Sequence, residues 1–283
     1  WARLGYGLPD AEELARVSTL FSNVGDGIEN VADASSYMIS ILKGFDLAAD
    51  DAQKEADLIN EDANNEPASA SDISEILTRS GAALHEAGND LSQAISLGVA
   101  MNSVTQNAES TGQTLKTVSM YLRAAKTDLE NMGESSDGCA NSVSELRSEL
   151  KQLTGVDIMK DAAGTQFKST YDILKEISEV WGSLSDVTRA NVTEMLGGKR
   201  NANAVAAVLS QFEIAEKSMK DAANSAGSAA KENEVYLSSI TGKLAQLDSA
   251  FQQLSQDLLD SSLIKFFVDF ATASVDIADG AVK

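Results

Sequence analysis

The residues that look most like chemistry are "MLGGKRNANAVAAVLS", Met195 to Ser210, where two adjacent glycines precede two positive charges. Glycines followed by lysine are the makings of a phosphate-binding loop, in which bare backbone N–H groups and the lysine cradle phosphate oxygens. The spacing speaks against it. That loop has the form G-x-x-x-x-G-K-S/T; with Gly198-Lys199 as its end, Thr193 stands at the first glycine and Arg200 replaces the magnesium-binding hydroxyl. The loop also follows a strand, whereas "DVTRANVTEML" reads as a helix. The alternative is a helix corner. Gly197 or Gly198 ends one helix in the left-handed conformation, Lys199 and Arg200 sit near its carbonyl end, and Asn201 or Asn203 caps the next helix.

Other reactive residue types lack company. Cys139 is the single cysteine and His85 the single histidine, about fifty residues apart on different elements, so neither a disulfide nor a Cys–His pair is expected. Asp26, Glu29 and Asp33 lack the alternating oxygen spacing and the bidentate glutamate of a calcium loop. No pair of carboxylates is set apart by an apolar context, as acid–base hydrolysis would need. The expectation is a chain with no catalytic residues, no cofactor and no metal.

The elements that position these residues are helical. There are two prolines in 283 residues, Pro9 and Pro67, and the aromatic fraction is 5%, so the core is built from Ala, Leu, Ile and Val in strong helix formers. Pro9 and Asp10 open a first helix that stops near Asn23–Gly27, and a second ends at Gly44. A third covers roughly 49–63, and Ser71-Asp72 caps a fourth with Glu75 closing a capping box. Asn89 and Ser110 start the next two. In the latter, Leu115, Val118, Leu122, Ala125, Leu129 and Met132 form one stripe that Gly133 ends. Ser142 caps a helix that stops at Gly155, residues 155–168 form a loop with a small turn or hairpin, and Ser169 and Ser185 each cap a helix beyond that loop. Two helix–Gly turn–helix stretches, starting near Asp10 and Asp72, are similar enough for a duplicated hairpin or for two unrelated ones.

Toward the C-terminus, Val205, Val208, Phe212, Ala215 and Met219 alternate at three and four, and Leu237, Ile240, Leu244, Leu247, Phe251, Leu254 and Leu258 keep that spacing over three heptads. The flanking Thr241, Lys243, Asp248, Ala250, Ser255 and Asp257 carry few charges to specify a two-stranded coiled coil, which favours packing inside a bundle while leaving self-association open. The fold class is therefore all-α, a bundle of short Gly-capped helices followed by longer heptad-patterned ones. Three regions are expected: helical hairpins over 1–135, a linker helix and loop over 136–168, and a helical, coiled-coil-like region over 169–283.

A net charge of −21, with fourteen acids against four bases in residues 1–66, argues against direct nucleic-acid binding and against docking on an anionic membrane. No run is long and apolar enough to span a bilayer; the closest, "SLIKFFVDFATASVDIA", is broken by Lys265, Asp269 and Asp276. "WARLGYGLPD" is not a signal peptide and has no initiator methionine, so an internal fragment of a longer protein is expected.

With these pieces in order, "GVDIMKDAAGTQFKSTYDILKEISEVWGSLSDVTRANVTEMLGGKRNANAVAAVLSQF" and "NSAGSAAKENEVYLSSITGKLAQLDSAFQQLS" resemble the tape measure proteins of long-tailed phages and prophages of Gram-positive bacteria. "LFSNVGDGIENVADASSYMISILKGF", "SASDISEILTRSGAALHEAGNDLSQAI" and "TGQTLKTVSMYLRAAKTDLENMG" are similar to the preceding block of that family, so the resemblance spans essentially the whole chain. It departs at "YLRAAKTDLE", where a second arginine is expected. The resemblance implies a structural protein that fills the tail tube, helps set tail length, templates assembly and leaves ahead of the DNA. It implies tail tube proteins, tail assembly chaperones and distal tail or baseplate proteins as partners, with the tail lumen as location and the host cytoplasm during assembly. A ruler fits helices, at most roughly 425 Å for this length, yet the short helices of residues 1–200 imply a compact domain when isolated. A secreted helical effector or pore-former, and a non-catalytic part of a tail-associated cell-wall hydrolase, remain the alternatives.

Overall fold

Short polar side chains set most helix starts by accepting backbone N–H groups that a first turn leaves unpaired. The computed structural model describes the backbone of residues 5–260 and the side chains of these residues other than Ile240 and 254–260. Helix α1 (Leu8–Val24) has Pro9 in its first turn, and Asn30 caps α2 (Val31–Gly44). A 3-10 turn at Ala49–Asp51 leads into α3 (Ala52–Asn65). Ser69 caps α4 (Ala70–Glu86), Asp90 caps α5 (Leu91–Thr105) and Asn107 caps α6 (Ala108–Tyr121). After the short α7 (Lys126–Asn131), Ser142, Ser169 and Ser185 cap α8 (Val143–Thr154), α9 (Thr170–Trp181) and α10 (Asp186–Ser210). Then come α11 (Glu213–Ala222), α12 (Ser228–Ser238) and α13 (Ile240–Asp260). The chain is all-α. Among the described residues the β-structure is one antiparallel bridge, Met159 to Phe167, in the loop after α8.

Three boundaries differ from expectation for tertiary reasons. Helix α4 starts at Ser69 rather than Ser71, because Asp26 of the α1–α2 turn accepts the Ala70 N–H at 2.6 Å and the Ser71 N–H bonds the Asp26 carbonyl. Asn107, not Ser110, opens α6; the Ser110 N–H is the group it caps. The stripe from Leu115 to Met132 is not one helix, since the chain breaks after Tyr121 and Ala124 takes φ 51°. Arg123 accounts for the break. Its guanidinium donates to the carbonyls of Ala87 and Lys168 and stacks 4.3 Å over Phe167, tying together three segments far apart in sequence.

The core of residues 1–231 is organised around α5. Leu91 and Ala94 through Asn102 are all buried, and the helix contacts α3, α4, α6, α9, α10 and α11. A helix apolar all round belongs at a centre, and α5 has no charged residue. Close approach of α4 and α6 uses Gly112, where a Cβ would lie 2.9 Å from the Ile76 carbonyl oxygen and from Arg79 Cβ.

Contacts divide the chain into Trp1–Lys231 and Glu232–Lys283. Within the first unit, α9, α10 and α11 share the core of α5 and α6. Residues 227–229 are held by α3: Asp57 accepts the Gly227 and Ala229 N–H groups at 2.9 and 3.1 Å, and Asn60 donates to Ser228 Oγ. Asp57→Ala is expected to weaken this attachment by about 2 kcal/mol, the scale of hydrogen bonds to a charged group. Amide exchange at Gly227 and Ala229 should then speed up more than exchange in α5; a uniform change across both would contradict this local role.

Candidate functional site

The Gly197–Asn201 corner joins two halves of α10. Gly198 breaks the helix with φ 71° and ψ 173°. This is the positive φ expected of the corner, but the backbone is extended rather than left-handed helical, a region that glycine alone occupies readily. Of the two expected caps, Asn201 and Asn203, Asn201 does something else: its Nδ2 donates to the Gly197 carbonyl at 2.9 Å, and its Oδ1 accepts from Thr114 Oγ1. Asn201 thus seals a carbonyl of the first half and joins it to α6. Lys199 reaches back to Glu194 at 3.7 Å with a mostly exposed side chain, a pairing worth little, and Arg200 is exposed.

Tyr121 supports the corner from α6. Its hydroxyl lies 3.0 Å from the carbonyls of both Ser135 and Asp137, and burial pushes its phenol up to about 12. A Cβ on Gly198 would stand 2.7 Å from that hydroxyl and 3.0 Å from the Asp137 carbonyl. The corner, Tyr121, Gln113, Glu134, Ser135 and Asp137 line a cavity of about 340 Å³. The corner connects helix to helix, as the sequence spacing requires, and Gly198 serves close packing of backbone on the Tyr121 phenol.

The remaining candidates are dispersed. Cys139 is buried beside Tyr121 and Leu129, and burial raises its thiol above the ordinary value, which makes it a poor nucleophile. His85 sits on α4 with its ring edge toward Phe45, 5.8 Å between centroids. Asp26 and Asp33 bond the start of α4 and Asn30 respectively. Among the described residues no cluster of three or more His, Cys, Asp or Glu is placed to hold a metal ion, and no helix is long and apolar enough to cross a membrane.

Sequence reasoning missed two buried carboxyls on α3. Glu55 and Asp62 are fully buried, and no oxygen of either has a hydrogen-bond partner. Burial raises both above the usual carboxylate range, Asp62 to about 7. The available signal was their spacing of seven residues, which puts them on one helix face with Leu58 and Ile59, both also buried.

The heptad residues lie on α12 and α13. Leu237, Leu244, Leu247 and Phe251 are 37%, 61%, 67% and 69% exposed; the side chains of Ile240, Leu254 and Leu258 lie outside the described residues.

Fold and corner together define, over residues 1–231, an all-helical unit of short capped helices gathered round a charge-free central one. A family model described as phage-related minor tail protein matches residues 1–198. The chain belongs to that family, which gives it a structural role in the phage tail among other tail components. No solved structure matches the chain. The family match reaches Gly198, the kink itself, and Val205, Val208 and Leu209 of the second half of α10 complete the same core.

Proposed function

We propose that this chain is a segment of a tail tape measure protein. It fills the tail tube, helps set tail length, templates tube assembly and is released ahead of the DNA. The observation that carries this reading is α13, a 21-residue helix with an exposed heptad stripe in a member of a phage tail family. A long helix with an unburied seam is the element from which a fibre-like ruler is assembled, and self-association through Leu244, Leu247 and Phe251 is its expected use.

The tail lumen is the proposed location in the virion, and the host cytoplasm during assembly. Tube proteins, assembly chaperones and distal tail or baseplate proteins are the proposed partners. The excess of 21 negative charges suits a plug over which DNA must pass without sticking. The segment carries no catalysis and needs no cofactor; a purified chain that released fragments from peptidoglycan would overturn that part.

The deciding experiment removes residues 231–260 in frame from a phage carrying the gene. At 1.5 Å per residue, tails should shorten by about 45 Å, measured on negatively stained particles. Tails of unaltered length and normal assembly would rule out a ruler role for this segment.

A further inference from the structure

Helix α11 and the turn after it lie across α3 and α5 on bonds that are mostly polar. Two of the ten residues of α11, Ala215 and Ser218, are buried, against ten of the fifteen on α5. The Ser218 hydroxyl donates to Ser96 Oγ of α5 at 2.9 Å, and Ser96 donates in turn to the Ser92 carbonyl. Lys217 Nζ bonds the Asn65 carbonyl and the Glu66 carboxylate at the end of α3. Further along, Asp57 and Asn60 hold Gly227, Ser228 and Ala229. A segment with few buried apolar side chains is the kind that opens before the core does.

Asp62 of α3 stands where α11 crosses. It is buried, neither carboxyl oxygen has a partner, and the hydroxyl that faces it, Ser218, gives its proton to Ser96. The charges that face it are acids: Asp221 of α11, Glu66 after α3, and Glu61 of α3 itself. Lys217 of α11 is already bonded to Glu66 and Asp221, and α5 carries no charged residue. The other elements packed on α3 have their charges engaged elsewhere. Arg16 of α1 bonds Glu13 and Gln53, Arg79 of α4 bonds Glu75 and Glu109, Asp51 of the 3-10 turn accepts the Ala48 N–H, and Lys43 of α2 is exposed.

We propose that residues 213–231 are a strap that lifts off α3 and α5 when Asp62 beneath it loses its proton. An Asp62 carboxylate under the docked strap is a buried charge with no donor and three acids around it, an arrangement that is strongly unfavourable. Lifting α11 admits water to both oxygens and moves Asp221 away, while giving up the Ser218 and Lys217 bonds. Protonated, the carboxyl is neutral and needs no cation, so the strap stays down. The docked carboxyl titrates near 7 and a hydrated one near 3.9. The docked value is the raised one, so docking is strongest below about pH 4, weakens about tenfold per pH unit as pH rises to 7, and is constant above. What the strap uncovers is the part of α5 around Ser96.

The test is amide hydrogen exchange on the whole chain at about pH 5 and about pH 8, expressed as protection factors so that the intrinsic pH dependence of exchange is removed. Protection of residues 217–222 should lie about tenfold or more below that of residues 97–100 of α5 at both values. It should also fall about a hundredfold from the lower pH to the higher. Asp62→Asn should hold it level within about threefold, because no proton is left to lose. The comparison of α11 with α5, and of the two pH values, is made on the unsubstituted protein, so it decides the matter even if Asp62→Asn folds poorly. Equal protection of α11 and α5 would mean that the strap opens only with the whole unit and would overturn the proposal. So would α11 protection that does not fall between the two pH values, or a fall of the same size in folded Asp62→Asn.

Discussion

Gly198→Ala is expected to destabilise the fold of residues 1–231 by about 3 kcal/mol or more, combining a backbone conformation that costs a non-glycine residue about 1–3 kcal/mol with an overpacked contact. The overlap is specific, since the new Cβ would stand 2.7 Å from the Tyr121 hydroxyl and 3.0 Å from the Asp137 carbonyl. Neither can retreat freely. The hydroxyl is held between the Ser135 and Asp137 carbonyls, and the second obstacle is backbone. Gly197→Ala serves as the control: it needs no unusual φ, and its nearest obstacle is the Val205 methyl at 3.0 Å, so it should cost about 1 kcal/mol. Adding Tyr121→Phe to Gly198→Ala should recover part of the loss, which a double-mutant cycle in urea would show as coupling of about 1 kcal/mol. A Gly198→Ala protein within about 0.5 kcal/mol of the parent, the usual range for a neutral surface change, would mean that the kink is not required.

The second large effect is a loss of stability as pH rises. The Asp62 carboxyl, fully buried near Ser218 whose own hydroxyl bonds Ser96, titrates near 7 when folded against about 3.9 when unfolded. Its folded-state value is raised, so its contribution is fully present below about pH 4 and is lost as pH rises through 7, after which it is constant. The amount is about 1.4 kcal/mol per pH unit, or about 4 kcal/mol in all. Glu55 acts with the same sign from the ordinary glutamate value upward. Asp157 has the opposite sign: the Arg147 guanidinium holds its carboxyl well below the usual range, so its contribution is present above about pH 4 and falls away in acid. The windows separate the two. Asp62→Asn should remove one proton's worth of slope between about pH 4 and 7 and raise the urea midpoint at about pH 8. An Asp62→Asn profile parallel to the parent's across that range would contradict the burial of an ionisable, unpaired group.

Much of this fold is legible in the sequence because its punctuation is local. Helix stops at Gly44 and Gly155 and starts at Ser142, Ser169 and Ser185 are read from residues within one turn of the boundary, and the structure has them there. What is not local is not legible. The apolar stripe from Leu115 to Met132 gives no sign of the break after Tyr121, because the break follows from Arg123 reaching carbonyls 36 and 45 residues away. The shift from Ser71 to Ser69 at the start of α4 depends on Asp26, 44 residues upstream of Ala70. At the corner, glycine pairing predicts a positive φ but not the extended ψ, which Tyr121 and the 135–137 carbonyls dictate. The centrality of α5 was available in "LSQAISLGVAMNSVT", fifteen residues with no charge. Periodicity on α12 and α13 identifies the apolar face and says nothing of what meets it.

Arg123 has a consequence for how this sequence can drift. Its guanidinium is pulled down to about 10 by burial and remains charged at neutral pH, yet its bonds are to the carbonyls of Leu122, Ala87 and Lys168. Every residue type offers that same oxygen. The side chain at 168 can therefore be exchanged without cost to this junction, whereas lysine at 123 would lose the planar fork that reaches three carbonyls and stacks on Phe167. As far as this junction is concerned, the side chains at 87 and 168 are free to change, and the arginine that bonds their carbonyls is not.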